Sequence, residues 1–123
     1  MPLTDQQILD AKNAINLYQP RHEHDDCIRM AYEWLDAQKK LKSKRSGDWK
    51  HLVQYWCGSY ISEDDVKIAA HLHPDIQFEG SKVNISRRLV LPKRERLADI
   101  GEAYQHFLEM DANRIKAYAT HEK

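Results

Sequence analysis

The sequence predicts an all-α or mainly α fold: one compact domain of five to six helices over residues 1–123, with a short β-hairpin or wing admitted near residues 76–91. Three observations carry this expectation. Apolar residues recur at three- and four-residue spacing through most of the chain. Glycine and proline occur four times each, too seldom for long linkers or low-complexity disorder. Hydrophobic residues make up 41% of the 123, enough for a core without disulfides or a structural metal.

Thr4 has the character of an N-cap, and Gln7 completes a capping box. Ile8, Leu9, Ala11, Ala14, Ile15 and Leu17 follow at helical spacing, so a first helix is expected from about Asp5 to Leu17, with Pro20 ending any continuation. The segment HEHDDCIRMAYEWLDAQKKLK places Cys27, Ile28, Ala31, Tyr32 and Leu35 on one stripe. Asp25 and Asp26 suit its N-terminus and Lys39, Lys40 and Lys42 its C-terminus, as the macrodipole prefers. SKRSGD (43–48) reads as a polar loop. Asp48 then caps a short helix with Trp49, Leu52, Val53 and Trp56 on one face, stopped at Cys57-Gly58.

Ser62 with Asp65 forms an acidic variant of the capping box, and Ile61 stands where a staple residue would. Val66, Ile68, Ala69, Ala70 and Leu72 carry a fourth helix up to Pro74. Residues 75–80 read as irregular. From Val83 to Leu91 two patterns compete: Val83, Ile85, Leu89 and Leu91 fit a strand, and Ile85 with Leu89 fit a helix. Pro92 suits the first turn of a long helix whose stripe is Leu97, Ile100, Tyr104, Phe107 and Leu108, extending towards Ile115 and Tyr118.

No apolar run approaches the length of a membrane span, and the N-terminus lacks the layout of a signal peptide. Two cysteines, Cys27 and Cys57, make no disulfide framework, so a cytoplasmic protein is expected. The formal net charge is zero, which argues against binding to nucleic acid by bulk charge alone. The charge is nevertheless blocked. Residues 39–50 hold six Lys/Arg against one Asp/Glu, and residues 79–96 hold six against two. Three acidic stretches separate and flank these two blocks. Taken singly, each block reads as a solvated helix end or loop; brought together by the fold, they would form one basic face.

Residues 62–91 carry the functional expectation. Val66, Ala69, Ala70 and Leu72, followed by Asn84-Ile85-Ser86-Arg87-Arg88-Leu89, resemble the helix-turn-helix and winged-helix DNA-binding superfamily. Eleven residues separate Leu72 from Asn84, where a standard turn has about 3–4. The resemblance implies a small regulator of transcription or of a mobile element that binds duplex DNA through Lys82, Asn84, Ser86, Arg87 and Arg88. Arginine pairs bidentately with guanine and asparagine with adenine, while Ser and Lys mostly hold phosphates. Lys42, Lys44 and Arg45 of the first basic block would add phosphate contacts. In the competing structural reading, Ile85 and Leu89 fill a core and both arginines are solvated.

Other chemistry is weaker. His22, His24 and Cys27, with Cys57, His71 and His73, are residue types that bind zinc, but their spacing matches no finger or knuckle. No metal or cofactor is therefore predicted. Phosphate-binding, dinucleotide, nucleophile-elbow and zinc-protease motifs are all lacking, so no enzyme is predicted, with His71, His73 and Asp75 the one cluster to watch. The alternative function is a helical adaptor or inhibitor acting on a protein partner, in which Trp34, Trp49 and Trp56 offer aromatic anchors unless they form the core. A homodimer burying the acidic N-terminal helices fits that class.

Overall fold

Helix α1 (Asp5–Ala14) starts at the expected box: the Thr4 hydroxyl accepts from the Gln7 amide at 3.1 Å and the Thr4 amide donates to Gln7 Oε1 at 2.8 Å. The computed structural model describes residues 3–15, 24–104 and 112–123, so the expected extension of this helix to Leu17 lies partly outside the described residues. α1 buries Ile8 and Ala11. α2 (Asp25–Asp36) buries six side chains, among them Ile28, Trp34 and Leu35, and is the central helix of the core.

The first correction concerns where α2 ends. It stops at Asp36 rather than running through Lys42. Gln38 explains the stop. Its buried amide donates to the Trp34 carbonyl at 3.1 Å and to the Val90 carbonyl at 2.8 Å, and its Oε1 accepts from the Val90 amide at 2.9 Å. That side chain caps the helix and ties it to a distant strand. Lys40 still serves the helix end, but by reaching back to donate to the Asp36 carbonyl at 2.6 Å.

The second correction follows directly. The expected polar loop at 43–48 is largely strand β1 (Lys40–Ser46). α3 (Trp49–Cys57) then ends at Gly58, whose φ of 68° makes it the left-handed cap foreseen from the sequence. A side chain at Gly58 would also stand 2.8 Å from the Tyr104 ring. α4 (Glu63–Leu72) carries both halves of its capping box, Ser62 Oγ from the Asp65 amide at 3.1 Å and Asp65 Oδ2 from the Ser62 amide at 3.0 Å.

Of the ambiguous stretch after α4, residues 83–85 and 90–91 are strand, and 86–89 are neither strand nor helix. β2 (Phe78–Glu79) and β3 (Lys82–Ile85) form a hairpin in which Glu79 pairs with Lys82. Gly80, at φ 60°, takes the first of the two turn positions, where an L side chain would be strained. β-branched Val83 and Ile85 face the core, and this alternation wins over the helical spacing of Ile85 with Leu89. The strand order is β1–β3–β2, antiparallel throughout.

Beyond it, β4 (Val90–Leu91) pairs in parallel with β5 (Thr120–His121). The long helix expected from Pro92 is not present among the described residues: a 3-10 turn occupies Arg94–Leu97, turns follow to Tyr104, and α5 (Ala112–Ile115) is a single helical turn. Part of that expected helix, residues 105–111, lies outside the described residues. Among the described residues the fold is thus mainly helical with a small sheet, its four longer helices running nine to twelve residues.

All three tryptophans belong to the core. Trp34 donates through Nε1 to the Tyr118 hydroxyl at 2.9 Å, Trp49 to the Ser81 carbonyl at 3.0 Å and Trp56 to the Pro92 carbonyl at 3.0 Å. Each ring therefore fills volume with its body and fixes a remote segment with its N–H. Among the described residues no helix is long and apolar enough to cross a membrane.

Candidate nucleic-acid interface

The pairing of β1 with β3 sets the two basic blocks side by side. Lys40 lies opposite Ile85, Arg45 opposite Val83 and Ser46 opposite Lys82. Five steps along β1 therefore match two along β3, and the excess residues bow out of the sheet edge. Leu41, Lys42, Ser43 and Lys44 in this bow are all exposed.

Asn84 holds the bow in shape. It is only 3% exposed, although its neighbours Val83 and Ile85 occupy the core face of the strand. Its Nδ2 donates to the Leu41 carbonyl at 3.0 Å and to the Asp75 carbonyl at 3.2 Å, and its Oδ1 accepts from the Gln77 amide at 2.7 Å. Every polar atom of the amide is thus consumed by backbone. The expected role of Asn84 as a reader of adenine is corrected: an asparagine with both ends occupied and no exposed edge has nothing to offer a base.

Arg45 is likewise partly spent. Its Nε donates to the Ile85 carbonyl at 3.1 Å and Nη2 to the Ser86 carbonyl at 2.9 Å, with the guanidinium 5.0 Å over the Trp49 ring. It clips the end of β3 to β1. Burial, and then the charge of Arg87, lower its pKa from the ordinary arginine value. Ser86 turns the chain, its amide donating to the Lys39 carbonyl at 2.8 Å and its hydroxyl accepting from the Arg88 amide at 3.1 Å. Buried Leu89 anchors the far side of this loop, so Arg87 and Arg88 project from its tip, both exposed.

Of the residues expected to bind nucleic acid, the structure brings Lys42, Lys44, Lys82, Arg87 and Arg88 to the surface around β1 and β3, and it assigns Asn84, Arg45 and Ser86 to holding that surface in place. Among the described residues none of the five exposed cations has an acidic partner. Other basic residues do. Lys12 pairs with Asp25 at 2.6 Å, and Arg29 with Asp5 and with Asp26. Arg96 lies among Glu33, Asp36 and Glu122. These five cations thus stand without an ion pair among the described residues in a chain that is neutral overall, whereas Lys40 on β1 lies within the charge of Asp36 and Asp75.

The remaining titratable clusters are internally satisfied. Arg96 grips Glu122 with Nε at 2.7 Å and Nη2 at 2.5 Å, and through Nη1 reaches Glu33 and Asp36, each at 2.9 Å. The Arg96 hydrogen bonds hold the Glu122 carboxyl below the usual range. Burial alone would raise Asp36, but hydrogen bonds from His73 and Arg96 outweigh it and lower the carboxyl. Sequence reasoning missed this cluster because its members come from four distant segments.

His73, one of the histidines worth watching, is buried. Its Nδ1 accepts from the Asp75 amide at 3.1 Å, so Nε2 carries the proton donated to Asp36 Oδ1 at 2.7 Å. His71 is exposed and His24 caps α2 through the Asp26 amide, while His22 lies outside the described residues. Cys27 and Cys57 are buried thiols; Cys27 donates to the Tyr60 carbonyl at 3.5 Å, Cys57 donates to backbone carbonyls, and burial pushes the Cys57 thiol up to about 12. Among the described residues no group of three or more His, Cys, Asp or Glu side chains is placed to hold a metal ion.

No family model matches the chain, and no curated protein or solved structure is similar to it.

Proposed function

We propose that this chain is a small cytoplasmic DNA-binding protein, a regulator of transcription or of a mobile element, that contacts duplex DNA through the bow of β1 and the Arg87–Arg88 loop. The observation that carries the reading is the convergence of two basic blocks, about forty residues apart in sequence, on one antiparallel pair, where among the described residues Lys42, Lys44, Lys82, Arg87 and Arg88 make no ion pair. Unpaired cations are the footprint expected of phosphate contacts, which dominate affinity for nucleic acid.

The order α2–β1–α3–α4–β2–β3, with strand order β1–β3–β2, resembles that of a winged-helix unit. In that arrangement α4 would occupy the place of the recognition helix. It carries Glu63, Asp64 and Asp65 in its first turn and buries Val66, Ile68, Ala69 and Ala70. An acidic, largely buried helix is repelled by phosphates, so the contact surface on this reading belongs to β1 and the 86–88 loop. The alternative, an adaptor or inhibitor with a protein partner, has lost its tryptophan anchors to the core.

The test is fluorescence anisotropy with a labelled 24-base-pair duplex at low salt. We expect micromolar or tighter binding, weakened at least tenfold in a variant with Lys42, Lys44, Arg87 and Arg88 all changed to Gln. That variant should melt within about 2 °C of the parent, because the four side chains are exposed and make no described ion pair. Absence of binding by the parent chain at 25 mM salt would refute the proposal and leave an acidic protein as the partner such a surface would suit.

A further inference from the structure

We infer that this face binds the phosphate backbone of duplex DNA without regard to base sequence. The inference rests on the DNA-binding reading above and deepens it by naming what is recognised.

Base readout needs polar side chains that are both free and held in a fixed geometry. The amide best suited to adenine, that of Asn84, is buried and fully engaged by Leu41, Asp75 and Gln77. The Ser86 hydroxyl accepts from Arg88 backbone, and two donors of Arg45 go to carbonyls of Ile85 and Ser86. Of the residues expected to bind nucleic acid, those left free are cationic. Lys42, Lys44 and Lys82 are compact charges on flexible stems, suited to phosphate rather than to a base edge. Arg87 and Arg88 could each pair with guanine, but among the described residues no side chain braces either guanidinium.

Duplex rather than single strand follows from where the aromatics lie. Single-strand binding without sequence preference uses exposed rings on which bases stack. Trp49 is 5% exposed and lies under Arg45, and Phe78, on β2 opposite Val83, is half-buried. The exposed aromatic side chains among the described residues, Tyr60 and Tyr104, lie on the α3–α4 connection and beyond Gly101, off β1, β3 and the 86–88 loop. The geometry of the charged row also suits a groove. β3 from Lys82 to Ile85 is three strand steps, or roughly 10 Å at about 3.3 Å each, within the ~12 Å width of the major groove, and the arginine loop follows directly. Cations at both ends of the row can then reach phosphates on opposite strands.

The experiment uses the full chain and four labelled probes by anisotropy in 50 mM salt: an AT-rich, a GC-rich and a mixed 24-base-pair duplex, and the mixed sequence as a single strand. The expected result is affinity equal within threefold across the duplexes and at least tenfold weaker for the single strand. One duplex bound more than thirtyfold better than the others would overturn sequence independence while leaving DNA binding intact. A single strand bound as well as the duplexes would overturn the duplex assignment. Failure of all four probes would remove both this inference and the reading on which it rests.

Discussion

Replacing Asn84 with alanine should damage the fold before it damages any contact with DNA. The substitution deletes three hydrogen bonds, to the Gln77 amide and to the carbonyls of Leu41 and Asp75. Each contributes about 1 kcal/mol net, and the freed backbone groups belong to exposed residues that water can reach, so no large desolvation penalty adds. The sum is a loss of about 2–3 kcal/mol, or roughly 10 °C in melting temperature for a domain of this size. Asn84→Asp should be worse, since it turns a buried carboxylate towards the Leu41 and Asp75 carbonyls. Urea unfolding followed by tryptophan fluorescence measures both, with an unchanged slope as the check that the denatured state is the same. A loss under 0.5 kcal/mol for Asn84→Ala, with DNA affinity falling more than tenfold, would refute the reasoning and return Asn84 to the role of base reader.

Two further perturbations probe the supports of the same architecture. Glu122→Gln removes the carboxylate held by Arg96. A carboxyl with a lowered folded pKa contributes stability above its unfolded pKa, near 4.3, and loses it as pH falls through the folded value. The variant should therefore be about 1–2 kcal/mol less stable at pH 7, with the difference closing below about pH 4 in urea titrations; a pH-independent difference would count against the ion pair. Arg45→Lys forfeits two carbonyl bonds and the stacking on Trp49, a predicted cost of about 1–2 kcal/mol, whereas Arg87→Ala should stay within about 0.5 kcal/mol by thermal melting. Equal effects of the two would deny the distinction between a clip and a free cation.

Local signals explain which parts of this fold were legible. Thr4 with Gln7, Ser62 with Asp65, and Gly58 each mark a helix end through atoms within a few residues, and α1, α3 and α4 begin or end where those marks stand. β1 reads from the sequence as helix end and loop because its partner β3 lies about forty residues away. Its period-2 signal, Lys40, Lys42 and Lys44 against Leu41, Ser43 and Arg45, carries no apolar face to announce a buried side. The stop at Asp36 depended on Gln38 meeting Val90, a contact no window along the chain contains.

The candidate site divides the same way. Charge counting located both basic blocks, since charge is a property of composition. Whether Asn84 faced a groove or a backbone depended on the bow that covers it, and that is a property of the sheet.

The most direct test of the basic face is the salt dependence of duplex binding. Five exposed cations predict a slope of log K against log salt of up to about −4.5, falling to about −1 when Lys42, Lys44, Arg87 and Arg88 become Gln. A parent slope near −1, or a slope of −4 retained by the fourfold variant, would place the contacts elsewhere and contradict the account.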